Sequence, residues 1–376
     1  MPIHNIVSGA VCRLRDVLRV LLGWPRRRAA RKKHAEILCC EAVEPVLGFG
    51  GVLDPDRFIH GGAVKLLSLR DGFRCDDLRC NILYLVSSAQ PPFAEELVRV
   101  CRSRGIKFVW NQNGVGYPAW AGAEAERHNA PMRRLHALAD FVVYQSEFCR
   151  ESADKFLGPC ESPSAVLLNP VDLQKFRPPE KPLPPSPLRL LAMGTQNYRD
   201  RVLAALECVR ELRRGGTECS LTIAGPLIWR GADRDVRDAV DSRGLHDCVR
   251  FLPPFLQDEA PSIYRDHHLL LHPKYMDPCP TVVAEALACG LPVVAARSGG
   301  IPEMVDDSCA KLIDVQRSWE IMSTPSGTDL ASAVREIFPQ LGNFSGAARR
   351  RAENAFDSRR WIKRHAEIFR SVLATD

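Results

Sequence analysis

The chain has 376 residues, of which 45% are hydrophobic and 26% are charged. This composition is typical of a globular protein with a sizeable core, and it excludes an intrinsically disordered chain. The length favours two domains over one. The formal charge of +6 is concentrated at the N-terminus, because residues 1–36 hold nine basic and two acidic side chains. The remaining residues sum to −1, so no nucleic-acid partner is expected.

The 14 cysteines show no CxxC pair and no Cys/His spacing of the zinc-site kind. Several of them, such as Cys39, Cys40 and Cys219, lie in apolar runs, which is typical of buried reduced thiols. A chain of this length does not need a disulfide framework, so a reducing, cytoplasmic compartment is predicted. No metal ligation is expected from these cysteines.

Residues 1–35 form a basic N-terminal arm. Apolar residues recur at helical spacing from Val7 to Leu21 and arginines fill the gaps, which predicts an amphipathic helix. No apolar stretch approaches the ~20 residues that a transmembrane helix needs. Trp24 and the basic run after it suit an anionic membrane surface, so residues 6–33 are predicted to make a peripheral membrane contact. Packing on the protein's own first domain and an organelle-targeting peptide stay open as alternatives.

From residue 36 onward, β-rich runs alternate with helical ones, which predicts parallel sheets with helices on both faces. Six prolines between 178 and 187 interrupt the alternation and indicate a linker. We therefore predict two Rossmann-like, doubly wound α/β domains that face each other across a cleft. The predicted parts are the arm (1–35), an N-terminal domain (36–178), the linker (179–187), a C-terminal domain (188–350) and a C-terminal helix (351–376) that is a candidate to cross back onto the first domain.

The cleft is the predicted site, because ligands of such sheets bind beyond the carboxyl ends of the strands. The run from Asp277 to Glu303 is small and apolar, with the carboxylate Glu285 in its middle. Pro280 and Thr281 are a sound helix start, which places Asp277 in the preceding loop and Glu285 one turn into the helix. The free N–H groups at this helix start suit a phosphate. A lone carboxylate in such a helix would more often be solvated or salt-bridged.

The constellation around Asp277 and Glu285 resembles the donor-site segment of the retaining glycosyltransferases of family four, which have the GT-B fold. The family's pattern of Glu, seven residues, Glu appears here as Asp277, seven residues, Glu285. The segments "HGGAVKLLSL", "ADFVVYQSEFCRE", "LLNPVDLQKFRP" and "GLHDCVRFLPP" are also similar to family segments. The resemblance covers roughly residues 37–376.

The resemblance implies that the N-terminal domain (36–178) is the acceptor domain and the C-terminal domain (188–350) the donor domain. It also implies roles for individual residues. Glu285 would bind the ribose hydroxyls of a nucleotide diphosphate-sugar, and Asp277 would act catalytically by holding sugar hydroxyls near the anomeric carbon. No metal and no separate cofactor are implied, because cations and helix dipoles usually neutralise the leaving phosphates in this family. The other residues expected around the donor are Thr281, Gly194, Gly299, Gly300, Gly61 and Gly62.

One departure from the family pattern concerns positive charge. The family opens its second domain with Gly-Arg, four residues, Lys, whereas Thr195 and Asp200 occupy those two places here. Arg199 and Arg201 flank the second place and are predicted to supply the catalytic cations. The alternative is that both arginines belong to a solvated helix start. Loss of a group that stabilises transition-state charge costs on the order of 10²-fold or more in rate.

A second departure lies in the first domain. Family members often carry a His near the sugar, where this chain has Asn111, Gln112 and Asn113. Amides can hold hydroxyls but cannot act as bases near neutral pH. These residues are predicted to lie on the sugar or acceptor side of the cleft, and the alternative is that the run is only a turn.

The predicted function is that of a retaining hexosyltransferase, of the kind used in polysaccharide biosynthesis. It would move a sugar from a nucleotide diphosphate-sugar to a glycan, lipid or small acceptor. One alternative is a nucleotide-sugar epimerase or a phosphorylase of the same fold. The other is a non-catalytic GT-B scaffold protein, for which the missing Arg/Lys pair is the best argument.

Overall fold

The computed structural model describes residues 25–53, 62 and 64–375. The predicted amphipathic part of the arm and Gly61 lie outside these residues. Two six-stranded, entirely parallel sheets organise the described chain. The predicted doubly wound α/β fold class is therefore confirmed.

The first half of the chain builds one of these sheets. The strands of this half, which include a separate two-stranded pair, are β1 (Leu38–Cys39), β2 (Val46–Gly48), β3 (Arg74–Cys75), β4 (Arg79–Cys80), β5 (Ile82–Val86), β6 (Lys107–Gln112), β7 (Phe141–Tyr144) and β8 (Ser164–Val166). Its helices are α1 (25–35), α2 (Val64–Gly72), α3 (Ala94–Ser103), α4 (Pro118–Ala121), α5 (Ala125–His136) and α6 (Glu147–Phe156). The strand order is β3-β2-β5-β6-β7-β8, with β1 and β4 paired separately. Every residue of β5 is buried, as expected for a strand covered by helices on both faces.

The second half builds the other sheet. Its strands are β9 (Leu188–Met193), β10 (Cys219–Ala224), β11 (Val249–Leu252), β12 (Leu269–His272), β13 (Val293–Ala296) and β14 (Ala310–Ile313). Its helices are α7 (Arg199–Arg214), α8 (Ala232–Arg243), α9 (Ala260–Arg265), α10 (Thr281–Ala288), α11 (Ile301–Met304), α12 (Gly327–Ile337) and α13 (Leu341–Ala355). The order β11-β10-β9-β12-β13-β14 is that of dinucleotide-binding domains. Chain order reverses between β9 and β12, which opens a crevice at their carboxyl ends.

Each face of the second sheet buries its own apolar cluster. Successive side chains of a strand point to opposite faces, so Leu190 and Leu191 of β9 enter different clusters. Leu191 packs with α10 and α13, whereas Leu190 packs with α7 and α12. This packing fixes the position of β9 along α10. It therefore also fixes where the loop after β9 meets the start of α10.

The C-terminal segment forms α13 and a separate helix α14 (Ser358–Leu373), not one helix from residue 351. The break has a clear cause, because the Asp357 side chain accepts a hydrogen bond from the Arg359 N–H and caps α14. Beyond it, α14 packs on the first sheet, where Phe369 joins the cluster that contains Leu47 and Tyr84. The helix α14 therefore packs on the half that contains β1 to β8.

The two halves also meet on one side of the cleft. The Glu303 carboxylate of the second half accepts hydrogen bonds from the backbone N–H groups of Glu147 (2.6 Å) and Phe148 (2.9 Å), at the start of α6. The Ser146 hydroxyl donates to the Pro278 carbonyl at 2.7 Å. A carboxylate at a helix N-terminus is stabilised by the unpaired N–H groups and the dipole. These contacts hold the loop after β12 against the first half.

The described part of the arm packs on its own domain. Arg27 and Arg31 of α1 form ion pairs with Glu96 of α3, and the His34 ring is buried. Within the described ranges, every helix is too short or too polar to cross a bilayer. The predicted membrane contact of residues 6–33 stays a prediction, since most of that segment lies outside the described residues.

Candidate active site

A cavity of about 370 Å³ lies between the halves, at the crevice between β9 and β12. The second half contributes Thr195 after β9, Asp277 after β12, and the start of α10. The first half contributes Gly62 and Asn113. A larger groove of about 630 Å³ between α1, α3 and α5 is lined mainly by surface ion pairs. We therefore take the interdomain cavity as the candidate active site.

Asp277 is a buried carboxylate with basic and neutral neighbours. It is 7% exposed, and it accepts hydrogen bonds from Lys274 Nζ at 2.9 Å and His272 Nε2 at 3.1 Å. Burial alone would raise the pKa of Asp277, but the Lys274 charge and the His272 hydrogen bond hold it well below its ordinary range. Asp277 is therefore ionised at any physiological pH.

His272 is neutral beside this carboxylate. Burial lowers the pKa of His272 to about 4, although Asp277 opposes the shift. The ring therefore donates its single proton from Nε2 to Asp277. Its Nδ1 atom is left without a hydrogen-bond partner among the described residues. The histidine orients the carboxylate without neutralising it.

Glu285 lies on α10, 4% exposed, and faces the same cavity. Its oxygens accept hydrogen bonds from Gln257 Nε2 at 2.6 Å and from the Tyr264 hydroxyl at 2.8 Å. Burial raises the pKa of Glu285 to about 7, and the two hydrogen bonds limit the rise. No ion pair ties this carboxylate within the described ranges, so it can exchange its neutral partners for ligand hydroxyls.

The structure separates the two predicted catalytic arginines. Arg201 is 5% exposed, lines the cavity, and donates to the Thr195 carbonyl at 3.2 Å. Burial lowers the pKa of Arg201 to about 10, while Asp277 opposes the shift, so the guanidinium stays charged. Arg199 is exposed and pairs with Asp235 at 3.2 Å, outside the cavity. Side chains two residues apart on a helix point in directions that differ by about 200°, so only one of the two arginines can face the cleft. The prediction for Arg199 needs this correction.

The predicted glycines fall into two groups. Gly194 and Gly62 line the cavity, and Gly194 has a φ of +95° that favours glycine. Gly299 and Gly300 do not line it. A Cβ at Gly299 would lie 2.4 Å from the Asp277 carbonyl oxygen, and one at Gly300 would lie 1.9 Å from the Pro278 carbonyl oxygen. These two glycines support the Asp277 loop from behind, which corrects their predicted place beside the donor.

The predicted sugar-side amides also divide. Asn113 lines the cavity, but Asn111 and Gln112 belong to β6, so the turn alternative is wrong for them. Gln112 accepts from Trp110 Nε1 at 2.7 Å and donates to the backbone oxygens of Asn113 and Gly114. Its amide is thus used inside the first half and not in the cleft.

The start of α10 opens on the cavity through Pro280, Thr281 and Val282. The first N–H groups of a helix have no partner within it. Together with the positive end of the helix dipole, they suit an anion. Thr281 therefore lies where the sequence placed it, at a helix start beside both carboxylates.

Sequence reasoning missed several polar residues of this site. Lys274 stands three positions before Asp277, so it was the only one that a local pattern could have indicated. Gln257 and Tyr264 reach Glu285 because α9 and the preceding loop pack beside α10, which no local pattern encodes. Among the described residues, no group of three or more His, Cys, Asp or Glu is arranged to hold a metal ion.

Comparisons with known proteins bear on this geometry. Residues 187–338, which contribute Asp277, Glu285 and Arg201 to the cavity, match the family model described as Glycosyl transferases group 1. The chain carries a glycosyl transferases group 1 domain. This match covers the second sheet and not the first.

Curated relatives match mainly a part of the chain. A D-inositol 3-phosphate glycosyltransferase from Saccharomonospora viridis is 30% identical over 143 residues, which is 38% of this chain and 31% of that protein. The protein of the same name from Mycolicibacterium smegmatis is 41% identical over 107 residues, 28% of this chain and 23% of that protein. The matched part thus spans less than a third of these relatives' length. Their names support a transferase.

Solved structures match over most of the chain. The sucrose-phosphate synthase of Thermosynechococcus elongatus has a TM-score of 0.64 at 16% identity, over 84% of this chain and 77% of that chain. Anabaena HepE, solved in complex with UDP and glucose, has a TM-score of 0.64 at 16% identity, over 89% of this chain and 99% of that chain. At such identity the likeness concerns the fold alone, which is the GT-B fold.

Proposed function

We propose that this protein is a retaining glycosyltransferase of family four that moves a sugar from a nucleotide diphosphate-sugar to a glycan, lipid or small acceptor. The observation that carries the proposal is the convergence of Asp277, Glu285 and the start of α10 on one interdomain cavity. The domain match and the names of the relatives support transfer of a sugar. HepE, solved with UDP-glucose, supports a nucleotide donor.

The chemistry of the cavity suggests a place for each part of the donor. Glu285, when ionised, can accept two hydrogen bonds from ribose hydroxyls, a strong charge-assisted contact. Arg201 and the N–H groups at the start of α10 suit the diphosphate. Asp277, always ionised, suits sugar hydroxyls near the reacting carbon. No metal is required in this arrangement, because Arg201, Lys274 and the helix dipole supply the positive charge.

The proposed reaction is a displacement on one face of the sugar. The bond between the anomeric carbon and the phosphate oxygen breaks as the acceptor oxygen bonds to the same carbon from the same side. The acceptor's proton passes to the departing phosphate oxygen, so a strong protein base is not required. Arg201 would stabilise the charge that develops on the phosphate. The amides on the first-half wall of the cavity would contact the ligand from the side opposite the two carboxylates.

Nucleotide binding tests the proposal. Isothermal titration at pH 8, where Glu285 is mostly ionised, should show binding of UDP or GDP to the wild-type protein. Glu285→Gln should weaken that binding about tenfold or more, because a charge-assisted pair of hydrogen bonds becomes neutral. The matched control is Glu336→Gln, an exposed glutamate paired with Lys311 on the second half. Absence of binding in the wild type, or equal binding by Glu285→Gln, contradicts the proposed site.

Product analysis tests the reaction itself. Incubation with a nucleotide sugar and an acceptor panel should give glycosylated product with the donor's anomeric configuration. Without an acceptor, only slow hydrolysis is expected. An epimer under those conditions would instead indicate a nucleotide-sugar epimerase, and nucleotide binding without turnover of any donor would indicate a scaffold protein.

We also propose that residues 6–33 contact an anionic membrane surface. The described part of this segment uses Arg27 and Arg31 in ion pairs with Glu96, which takes two charges away from such a surface. The proposal therefore depends on the residues before α1. Deletion of residues 1–24 keeps α1 and should abolish sedimentation with phosphatidylserine vesicles. Unchanged sedimentation would eliminate this contact.

A further inference from the structure

Lys65 is a buried lysine in the wall of the cleft that contributes no ion pair within the described ranges. It lies on α2 and is 5% exposed. Its ammonium donates to Asn111 Oδ1 at 2.8 Å, Asn113 Oδ1 at 2.9 Å and Gln145 Oε1 at 3.1 Å. A buried charge is costly unless it is paired, so a lysine held only by neutral amides calls for a functional explanation.

The place of Lys65 relates it to the candidate active site. Its partners Asn113 and Gln145 line the interdomain cavity. Lys65 itself lines an adjoining cavity of about 230 Å³, which shares Thr281 and Glu285 with the larger one. The lysine therefore stands behind the first-half wall of the cleft, opposite the carboxylates of the second half.

A directed chain of hydrogen bonds stabilises this cation. His365 Nδ1 lies 3.0 Å from the Trp361 carbonyl, and its Nε2 lies 3.1 Å from the Tyr84 hydroxyl. Burial lowers the pKa of His365 to about 3, so the ring is neutral and has one proton. A carbonyl can only accept, so that proton is on Nδ1 and Tyr84 donates to Nε2. The Tyr84 oxygen then accepts from Asn111 Nδ2 at 2.9 Å.

The direction of this chain fixes the amide of Asn111. Its nitrogen is used by Tyr84, so its oxygen must face Lys65. Every dipole from α14 to the ammonium thus points its negative end toward the charge. The crossing helix α14 borders the adjoining cavity and not the larger one, and through His365 it helps to keep Lys65 protonated.

The same logic orients the amides at the cavity. An ammonium has no acceptor, so the oxygens of Asn113 and Gln145 are committed to Lys65 and their nitrogens are the donors. The Gln145 amide also hydrogen-bonds to the Cys149 thiol, and because each amide nitrogen carries two hydrogens, a second N–H remains for a ligand. Asn113 Nδ2 donates to Ser88 Oγ at 2.5 Å, beside Gly62, where a Cβ would lie 2.5 Å from that nitrogen. Within the described ranges no carboxylate forms an ion pair with Lys65, so the wall combines amide donors with a positive charge, and such a surface favours an oxyanion.

We propose that Lys65 is a positioning residue that turns the Asn113 and Gln145 amides into hydrogen-bond donors and so makes the first-half wall a phosphate-binding wall. The inference rests on the proposed function of the cleft. The phosphate would come from the diphosphate of the donor or from a phosphate group on the acceptor. Lys65 acts through the amides and through its charge, without contacting the reacting atoms.

Calorimetry with UDP, uridine and inorganic phosphate tests this inference. At pH 7, Lys65→Met should weaken the binding of UDP about tenfold and leave that of uridine unchanged. The matched control Lys155→Met removes an exposed lysine of α6 and should change neither. If UDP binding is unchanged but inorganic phosphate binds less tightly to the UDP-saturated variant, the acceptor's phosphate is the ligand. If neither is weakened, the inference is overturned.

The outcomes separate the two proposals. Failure of the wild-type protein to bind either UDP or GDP would remove the proposed function, and binding of GDP alone would move the comparison to GDP and guanosine. If the wild type binds UDP, and Lys65→Met binds both UDP and inorganic phosphate as tightly as the wild type does, only the role of Lys65 is removed. A thermal melt of each variant establishes that it is folded.

A pH profile distinguishes this role from a merely structural one. Burial lowers the pKa of Lys65 to about 8, so wild-type UDP binding should weaken as pH rises from 7 to 9, and Lys65→Met should lose that dependence. Among the titratable groups near Lys65, Cys149 and Cys279 stay protonated because burial raises their pKa to about 12, and His365 is neutral. Glu285 shares the adjoining cavity and has a pKa of about 7, so its ionisation opposes the loss between pH 7 and 8. The loss due to Lys65 is therefore measured from pH 8 to pH 9, where Glu285 is almost fully ionised.

A second variant keeps the test valid if Lys65→Met does not fold. Tyr84→Phe removes one hydroxyl from the buried chain, far from the cavity. It should move the alkaline loss of UDP binding to lower pH, because a partner that stabilises the ammonium through Asn111 is gone. An unshifted profile in a folded Tyr84→Phe protein would contradict the role of the chain.

Discussion

The two walls of the cleft solve the problem of buried charge in opposite ways. On the second-half wall, Asp277 is balanced by Lys274. Glu285 is held by neutral donors, and burial raises its pKa so that it is half-protonated near pH 7. On the first-half wall, Lys65 keeps its charge among amides alone. One wall can exchange neutral partners for hydroxyl groups, whereas the other offers unbalanced positive charge.

This difference teaches how the two halves divide recognition of one ligand. A carboxylate beside neutral donors suits hydroxyl groups of sugar and ribose, while a cation behind amide N–H groups suits phosphate oxygens. A nucleotide diphosphate-sugar carries both kinds of group. Each prediction below changes one feature of the second-half wall or of its contact with the first half, as the Lys65 variants do for the first-half wall.

The largest effect is expected from the second-half cation. Arg201→Met should lower kcat about 10²–10³-fold, because it removes a buried charge that would stabilise the leaving diphosphate. Arg199→Met is the matched control, since this arginine is exposed and paired with Asp235; it should leave kcat within about twofold. Steady-state kinetics of the wild type and the two variants, with the same nucleotide-sugar donor, measure both effects on kcat. Equal losses of kcat in the two variants would contradict a catalytic role that belongs to Arg201 and not to Arg199.

A tenfold change in UDP affinity is expected when Glu285, on the same wall, is protonated at lower pH. The pKa of Glu285 is about 7, so lowering the pH from 8 to 6 should weaken UDP binding about tenfold as the carboxylate takes up a proton. Glu285→Gln should bind weakly at both pH values. Titrations at pH 6, 7 and 8 measure this, and a wild-type affinity that does not change would contradict the role of Glu285.

The raised pKa of Glu285 also affects stability, with a defined sign. The folded state binds this proton more tightly than the unfolded state, so unfolding free energy is lost as pH rises from about 4.3 toward 7. Glu285→Gln removes the titration. Its unfolding free energy relative to wild type should therefore increase between pH 5 and pH 8, measured by urea denaturation.

The smallest effect is expected where the halves touch. Glu303→Gln should reduce the unfolding free energy by about 1–2 kcal/mol and weaken donor binding a few-fold, because a carboxylate that caps α6 across the interface becomes neutral. Glu151→Gln is the control at the same interface, an exposed partner of Arg317 that should cost less than about 1 kcal/mol. If both variants unfold alike, the cap does not join the two walls.

Much of the fold was predictable from local pattern. Apolar β-rich runs and helical periodicity recur in order, so the two doubly wound sheets followed from them. The helix start at Thr281 and the carboxylates before and within it were also predictable, because capping and spacing act over a few residues. The split of the C-terminal segment at Asp357 was missed, although the cap is local, since the Asp357 side chain accepts from the Arg359 N–H only two residues away.

By itself, the sequence determined the two α/β halves and the place of Asp277 and Glu285 before and within a helix, because these depend on periodicity and short-range chemistry. Only the tertiary structure decided that Arg201 and not Arg199 faces the cleft, and that Gly299 and Gly300 support a loop. It alone joined Lys65 to amides 46, 48 and 80 positions away. The physical reason is that burial and hydrogen-bond partners belong to neighbours in space, which the order of residues along the chain does not specify.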